Sequence, residues 1–257
     1  MSFLGSVLLK IRRNDFESMS TEEQNELKQA EKSEVESYFN GMGFDRWNRI
    51  YSDSKDVNKV QRNIRIGHQK TVDDVLTWLK ASGDLSQMSF CDAGCGVGSL
   101  SLPLAAMGAG SIAASDISQA MVDETRRRAE ELKLDLSRIT LTTSDLESVH
   151  GSFHTVICLD VFIHYPQQQA EEMVRHLCSL SEEKLIVSFA PYTPFLALLK
   201  RIGQLFPGPS KTTRAYTLRK EGILRAAKES GFQLSKSKLN QAPFYFSELI
   251  ELKRSDV

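Results

Sequence analysis

The stretch Asp92-Ala93-Gly94-Cys95-Gly96-Val97-Gly98 joins a short apolar run ending at Phe90-Cys91 to a helical pattern over residues 99–107. Glycines at alternate positions let the chain turn tightly from strand to helix, and let a ligand approach the main chain with no Cβ in the way. Outward from this loop the alternation continues. Residues 111–115 read as a strand, Ser118 caps a helix running to about Leu132, residues 139–143 and 153–159 read as strands, residues 170–180 as a helix and residues 185–190 as a fifth strand. Parallel strands need long crossovers, usually helices, so the pattern predicts a doubly wound, mainly parallel α/β sheet covered on both faces. Near the end it breaks. A helix over 219–230 stopped by Gly231 is followed by strands at 232–239 and 244–252, which predicts a C-terminal antiparallel hairpin on a Rossmann-like sheet.

Ligands of open α/β sheets bind at the carboxyl ends of the strands, where the glycine loop sits. Asp116 follows Gly94 by 22 positions, close to the ~20-residue spacing at which an acid accepts ribose hydroxyls. The pair predicts an adenosine-containing ligand. A dinucleotide fingerprint reads G-x-G-x-x-G and offers a helix N-terminus to a pyrophosphate; this loop instead reads D-x-G-x-G-x-G. Asp92 would repel a pyrophosphate but can hold, directly or through water, the ammonium of a methionine-derived group, so S-adenosylmethionine fits better than a nicotinamide dinucleotide. Asp145, just past the third strand, is placed to accept an adenine amino group. Asp160 ends the fourth strand and faces the same cleft.

Composition narrows the class further. With 41% hydrophobic and 25% charged residues among 257, the chain is neither disordered nor fibrous. Lys plus Arg number 32 against 33 Asp plus Glu, so a nucleic-acid coat is excluded and no nucleic-acid partner is expected. The four cysteines form no CxxC pair and read as reduced, buried small residues. His150, His154 and His176 lack ligand spacing, so no protein-bound metal is expected. No apolar run reaches the ~18–20 residues that cross a bilayer. The start mixes Phe3, Leu4, Val7 and Leu8 with the later Lys10, Arg12 and Arg13, the wrong order for an export signal. Residues 18–36 read as a polar, solvated helix. After them come Tyr38, Phe39, Phe44, Trp47 and Tyr51, interleaved with Arg46 and Arg49, and then one apolar helical face, Val72, Val75, Leu76 and Leu79, stopped by Gly83. Between residues 193 and 225 seven basic side chains face one acid, an apolar and basic insertion suited to acidic amphiphiles or a membrane surface.

These residues resemble the class I S-adenosylmethionine-dependent methyltransferases from Val72 onward. A narrower likeness is carried by Tyr38-Phe39-Asn40, Gly43-Phe44-Asp45-Arg46-Trp47, Arg49-Ile50-Tyr51, Gly67-His68, the run from Cys91 to Leu100, Ala114-Ser115-Asp116-Ile117-Ser118, and Asp160-Val161 with Ile163-His164-Tyr165-Pro166. Together they resemble the magnesium-protoporphyrin IX methyltransferase family, and the first four blocks are the specific part. The resemblance implies transfer of a methyl group to one propionate carboxylate of magnesium-protoporphyrin IX, a step of chlorophyll biosynthesis. It places cofactor contacts on Asp92, Gly94, Gly96, Gly98, Ser99, Asp116, Ile117, Asp145, Leu146 and Asp160, and substrate contacts on Arg46, Trp47 and His68.

A propionate is already ionised at pH 7, so catalytic groups must donate hydrogen bonds rather than abstract protons. His164 and Tyr51 fit that role. His68, after Gly67, is expected just ahead of a helix. The resulting organisation is an extension, poorly ordered or helical, over 1–36, an arm over the site at 37–70, and a methyltransferase domain at 71–257 with a lid insertion at 193–217. Plastid or cyanobacterial location, with peripheral membrane contact and neighbouring chlorophyll-biosynthesis enzymes as partners, follows from the same resemblance. Two other readings share the motifs: a methyltransferase acting on another small apolar acid or a quinone-like acceptor, and a non-catalytic porphyrin carrier that senses S-adenosylmethionine.

Overall fold

The computed structural model describes residues 20–51, 56–192 and 216–255. Seven strands form one sheet: β1 (Ser89–Ala93), β2 (Ser111–Asp116), β3 (Ile139–Thr143), β4 (Phe153–Cys158), β5 (Ser181–Phe189), β6 (Phe232–Ala242) and β7 (Tyr245–Arg254), in the order β3-β2-β1-β4-β5-β7-β6. The first five pair in parallel, whereas β7 runs antiparallel between β5 and β6. This is the doubly wound sheet with a terminal hairpin that the alternation predicts.

Both faces are covered, and the period of two in the strands shows it. Cys91, Val156, Cys158, Leu185 and Val187 point into a core shared with helix α6 (Gln167–Leu180) and helix α7 (Lys220–Glu229). Phe90, Ile157 and Ile186 point the other way, into a core closed by Val72, Val75 and Leu79 of helix α3 (Lys59–Lys80). All four cysteines are buried free thiols, serving as small apolar residues.

Several boundaries differ from the sequence reading, each for a local reason. Helix α3 begins 13 positions before Val72, because Asn58 and Gln61 form a reciprocal capping box. His68 therefore lies inside a helix and not ahead of one. The polar run is helix α1 (Thr21–Asn40), capped by Ser20 and Glu23, so the divisions drawn at residues 36 and 70 fall inside α1 and α3. Helix α2 (Met42–Ile50) follows at once. The helix read over 99–107 shortens to α4 (Ser101–Ala106), since Ser99 and Leu100 are still in the turn. Helix α5 (Gln119–Glu131) starts where expected, with Ser118 Oγ accepting from the Met121 amide.

The hairpin turn is two residues, Pro243 and Phe244, because Ala242 pairs with Tyr245. Phe244 has φ +68° and stays largely exposed. Residues 193–215, most of the expected lid, lie outside the described residues, as do residues 1–19.

Candidate active site

A cavity of about 910 Å³ opens at the carboxyl ends of β1 and β4, near the top of the ~300–1,000 Å³ range of small-molecule sites. The glycine loop forms its floor. The amides of Gly94 and Cys95 both donate to the Ser115 carbonyl, at 2.8 and 2.9 Å, which ties the loop to the end of β2. Gly94, Gly96 and Gly98 all have positive φ, but they divide the work. A Cβ on Gly96 would meet no protein atom, so its backbone faces open cavity. A Cβ on Gly98 would strike Leu102 and Thr125; that glycine packs the turn against helices α4 and α5 and does not line the cavity.

At Gly94 a Cβ would stand 2.2 Å from Val161 Cγ2, in addition to the strain of φ +85°. Gly94→Ala is therefore expected to cost about 1–3 kcal/mol of stability and to weaken S-adenosylmethionine binding. Adding Val161→Ala should restore part of both; denaturant melts and calorimetry on the single and double variants check this.

Asp116 is fixed by two backbone donors, Gly96 N to Oδ2 and Ser118 N to Oδ1, each at 2.9 Å. Burial nevertheless pushes its carboxyl up. Asp92 is more extreme. It is 2% exposed, accepts from Ser101 Oγ, and burial pushes it up to about 6. Two buried acids beside a glycine cradle fit a ligand carrying ribose hydroxyls and positive charge, as S-adenosylmethionine does. Ser99, Ile117 and Leu146 also line the cavity.

Asp145 does not. Its Oδ1 accepts from the Ser148 amide, capping a short turn, and its other oxygen pairs with Lys32 of α1, which itself lines the cavity. Burial would raise that carboxyl, yet the Lys32 and Ser148 hydrogen bonds hold it below its ordinary value.

Asp160 lies two residues beyond β4, at φ +58°, and its two oxygens are fully engaged. Oδ1 accepts from Ser188 Oγ (2.8 Å) and Ser247 Oγ (3.1 Å); Oδ2 accepts from Tyr245 Oη and faces His68 Nδ1, both at 2.8 Å. Burial alone would raise Asp160, but the His68, Tyr245 and Ser188 hydrogen bonds keep it below its ordinary value and ionised. Asp160 therefore lines the cavity as the centre of a polar network rather than as a spare acceptor. Sequence reasoning missed Tyr245, Ser188 and Ser247.

Helices α1, α2 and α3 supply the opposite wall. Gln29, Lys32, Val35 and Phe39 of α1, spaced three and four apart, reach the cavity together. The helix read as solvated thus has a cavity-lining face. Tyr51 stacks on Trp47 at 5.4 Å between ring centroids and tilts over His68 at 4.3 Å. Burial, with the Asp160 charge adding to it, pushes the Tyr51 phenol well up, so it remains a hydrogen-bond donor. His164 sits in the turn after β4, edge-on to Phe39, and burial pushes it down to about 4. At neutral pH it is uncharged.

Polar bonds hold this wall to the sheet domain. Ser118 Oγ lies 3.1 Å from the Phe39 carbonyl and 2.9 Å from Asn40 Oδ1, while Arg128 donates to the Tyr51 carbonyl and to Asn48 Oδ1. Three buried polar atoms on the wall have no hydrogen-bond partner among the described residues: Arg46 Nε, Trp47 Nε1 and His68 Nε2. All three residues line the cavity. Ala190 and Thr217, on either side of residues 193–215, line it as well. Among the described residues there is no cluster of three His, Cys, Asp or Glu side chains able to hold a metal.

A family described as magnesium-protoporphyrin IX methyltransferase C-terminus matches residues 158–254, and a general methyltransferase domain matches residues 90–183. The chain is 50% identical over 225 residues to a magnesium-protoporphyrin O-methyltransferase of Synechocystis sp., spanning 88% of this chain and 97% of that protein. It is 48% identical to the chloroplastic magnesium protoporphyrin IX methyltransferase of Arabidopsis thaliana, over 86% of this chain and 70% of that one. The crystal structure of magnesium protoporphyrin IX methyltransferase from Synechocystis PCC 6803 with bound SAH superposes with a TM-score of 0.81 at 48% identity, covering 87% of this chain and 100% of the other. Identity of this order over most of the chain shows that it belongs to the magnesium-protoporphyrin IX methyltransferase family.

Proposed function

We propose that the chain transfers a methyl group from S-adenosylmethionine to a propionate carboxylate of magnesium-protoporphyrin IX, giving the monomethyl ester. The observation that carries this is the wall of the cavity: Phe39, Trp47 and Tyr51 offer a wide aromatic surface, and Arg46 Nε and Trp47 Nε1 are buried donors that lack a partner. An unmet buried donor costs roughly 1–3 kcal/mol. A flat macrocycle bearing carboxylates would cover the rings and satisfy the donors together.

Asp116 is suited to hold the ribose, Gly96 to let the ligand lie against the main chain, and Asp92 to face the methionine ammonium. When bound, S-adenosylmethionine supplies the methyl group as an electrophile on a sulfonium. The carboxylate oxygen loses its charge as the bond forms, so strong cationic partners would stabilise the starting state more than the transition state. Neutral donors avoid that penalty. Tyr51, kept protonated, and His164, kept uncharged, can orient the carboxylate while leaving an oxygen lone pair free to attack. The apolar walls exclude water, which favours a reaction in which opposite charges disappear.

Incubating the protein with methyl-labelled S-adenosylmethionine and magnesium-protoporphyrin IX should yield a labelled monoester. No labelled ester, under conditions where both compounds bind, would refute the reading. The apolar and basic composition of residues 193–215 supports peripheral contact of the chain with an anionic membrane surface in a plastid or cyanobacterium. No helix among the described residues is long and apolar enough to cross a membrane.

A further inference from the structure

The polar network around Asp160 does more than fill a corner. An ionised carboxylate, held by three hydroxyls, takes the Nδ1 side of His68 and fixes that ring in one orientation. Gly67 makes the placement feasible: any Cβ there would lie 2.2 Å from the Tyr245 ring, so only glycine lets α3 approach β7 closely enough for His68 to meet Asp160. His68 is 8% exposed, its ring is covered on one face by Tyr51, and its Nε2 is buried without a partner.

A histidine whose Nδ1 is paired with a carboxylate and whose Nε2 has no partner among the described residues has the geometry of a metal-ligating histidine with its outer-shell carboxylate. Among the described residues no cluster of three His, Cys, Asp or Glu side chains includes it. A magnesium ion already held by four porphyrin nitrogens needs only one further ligand. We propose that His68 Nε2 is the axial ligand to the magnesium of the porphyrin substrate, with Asp160 as the positioning residue; this rests on the reading of the substrate given above. The bond is a simple donation of the Nε2 lone pair to the metal, with displacement of whatever solvent molecule the metal carries and no proton or electron exchanged. The imidazole would anchor the macrocycle by its centre, leaving its edge carboxylates free for Tyr51, His164 and Arg46.

Binding of three porphyrins, followed by the shift of their absorption bands, tests this. The probes are magnesium-protoporphyrin IX, zinc-protoporphyrin IX and metal-free protoporphyrin IX. The native protein should prefer the magnesium form over the metal-free one by about tenfold, and the zinc form by at least as much, because imidazole suits zinc better than it suits magnesium. His68→Phe keeps a ring beneath Tyr51 but removes the lone pair; it should bring the three affinities to about the same value while metal-free binding is unchanged. His68→Gly should lose the preference and the band shift, and added imidazole should restore both. Asp160→Asn should reduce the metal preference part of the way to that of His68→Phe while the magnesium form still binds.

If the native protein binds all three porphyrins alike, or if His68→Phe weakens them all equally, the axial role is wrong and His68 only packs, while the proposed activity stands. If no porphyrin binds although S-adenosylmethionine does, the substrate reading falls and the axial ligand with it. Unchanged S-adenosylmethionine affinity in the two His68 variants, and an unchanged thermal midpoint in Asp160→Asn, show that the fold is intact.

Discussion

Tyr51→Phe is expected to lower kcat by about 100-fold, the scale of loss when a reacting group is misplaced by about 1 Å. Affinity for S-adenosylmethionine should stay within about twofold, a change of under 0.5 kcal/mol. The phenyl ring can keep its stack on Trp47 and its tilt over His68. Only the phenolic donor disappears. Burial keeps that donor protonated well above its ordinary range, so the native enzyme should show no loss of rate from Tyr51 ionisation up to pH 9 or beyond. His164→Ala should behave alike, since His164 is uncharged above about pH 4 and acts by position, not by charge. Single-turnover rates beside calorimetric titration of the methyl donor measure both. Full kcat in Tyr51→Phe would reduce Tyr51 to an aromatic prop.

Asp92→Asn is expected to make the ligand-free chain more stable at pH 7 while weakening its hold on S-adenosylmethionine. The folded carboxyl is pushed up to about 6 by burial, against about 3.9 in an unfolded chain. Between those values the folded chain keeps a proton that the unfolded chain has released, so stability falls as pH rises from about 4 to about 6 and then levels off. The full loss is roughly 3 kcal/mol at ~1.4 kcal/mol per pH unit. Asn carries no such proton and still accepts from Ser101 Oγ. The gap between the variant's and the native stability curves should therefore open across this window and close below pH 4, as urea midpoints at several pH values would reveal. Saturating S-adenosylmethionine should close most of the gap at pH 7 by placing a cation near the acid. A native curve with no decline between pH 4 and 6 would remove Asp92 as the source of strain.

The parts of the site that were legible are those written within one strand-helix-strand unit. The alternate glycines and Asp116 lie within 25 positions of Asp92, so their spacing alone places them together. What the glycine pattern could not say was the division of labour, with Gly96 facing the ligand and Gly98 facing Leu102. Asp160 was legible as a residue at the right end of the sheet, but its partners were not. His68, Ser188, Tyr245 and Ser247 stand 28 to 92 positions away: Ser188 reaches it from β5 beside β4, Tyr245 and Ser247 from β7 beside β5, and His68 from α3. Helix α1 was hidden for a different reason. Its cavity face contains Gln29 and Lys32, so hydrophobic periodicity understated it, although the three-and-four spacing through Val35 to Phe39 was present to be read. The start of α3 could also have been found, since Asn58 and Gln61 have the spacing of a capping box.

Ser118 performs two tasks within one residue. Its amide steadies Asp116, and its hydroxyl meets Phe39 and Asn40 at the end of α1. With Asp116 holding the ribose as proposed above, whatever settles Asp116 also settles the aromatic helices, and by thermodynamic reciprocity the seated helices tighten the hold on the nucleoside by the same factor. The two compounds are in consequence not independent visitors. Such coupling is symmetric, so whichever is bound first strengthens the hold on the other, and the complete pair is retained longer than either alone.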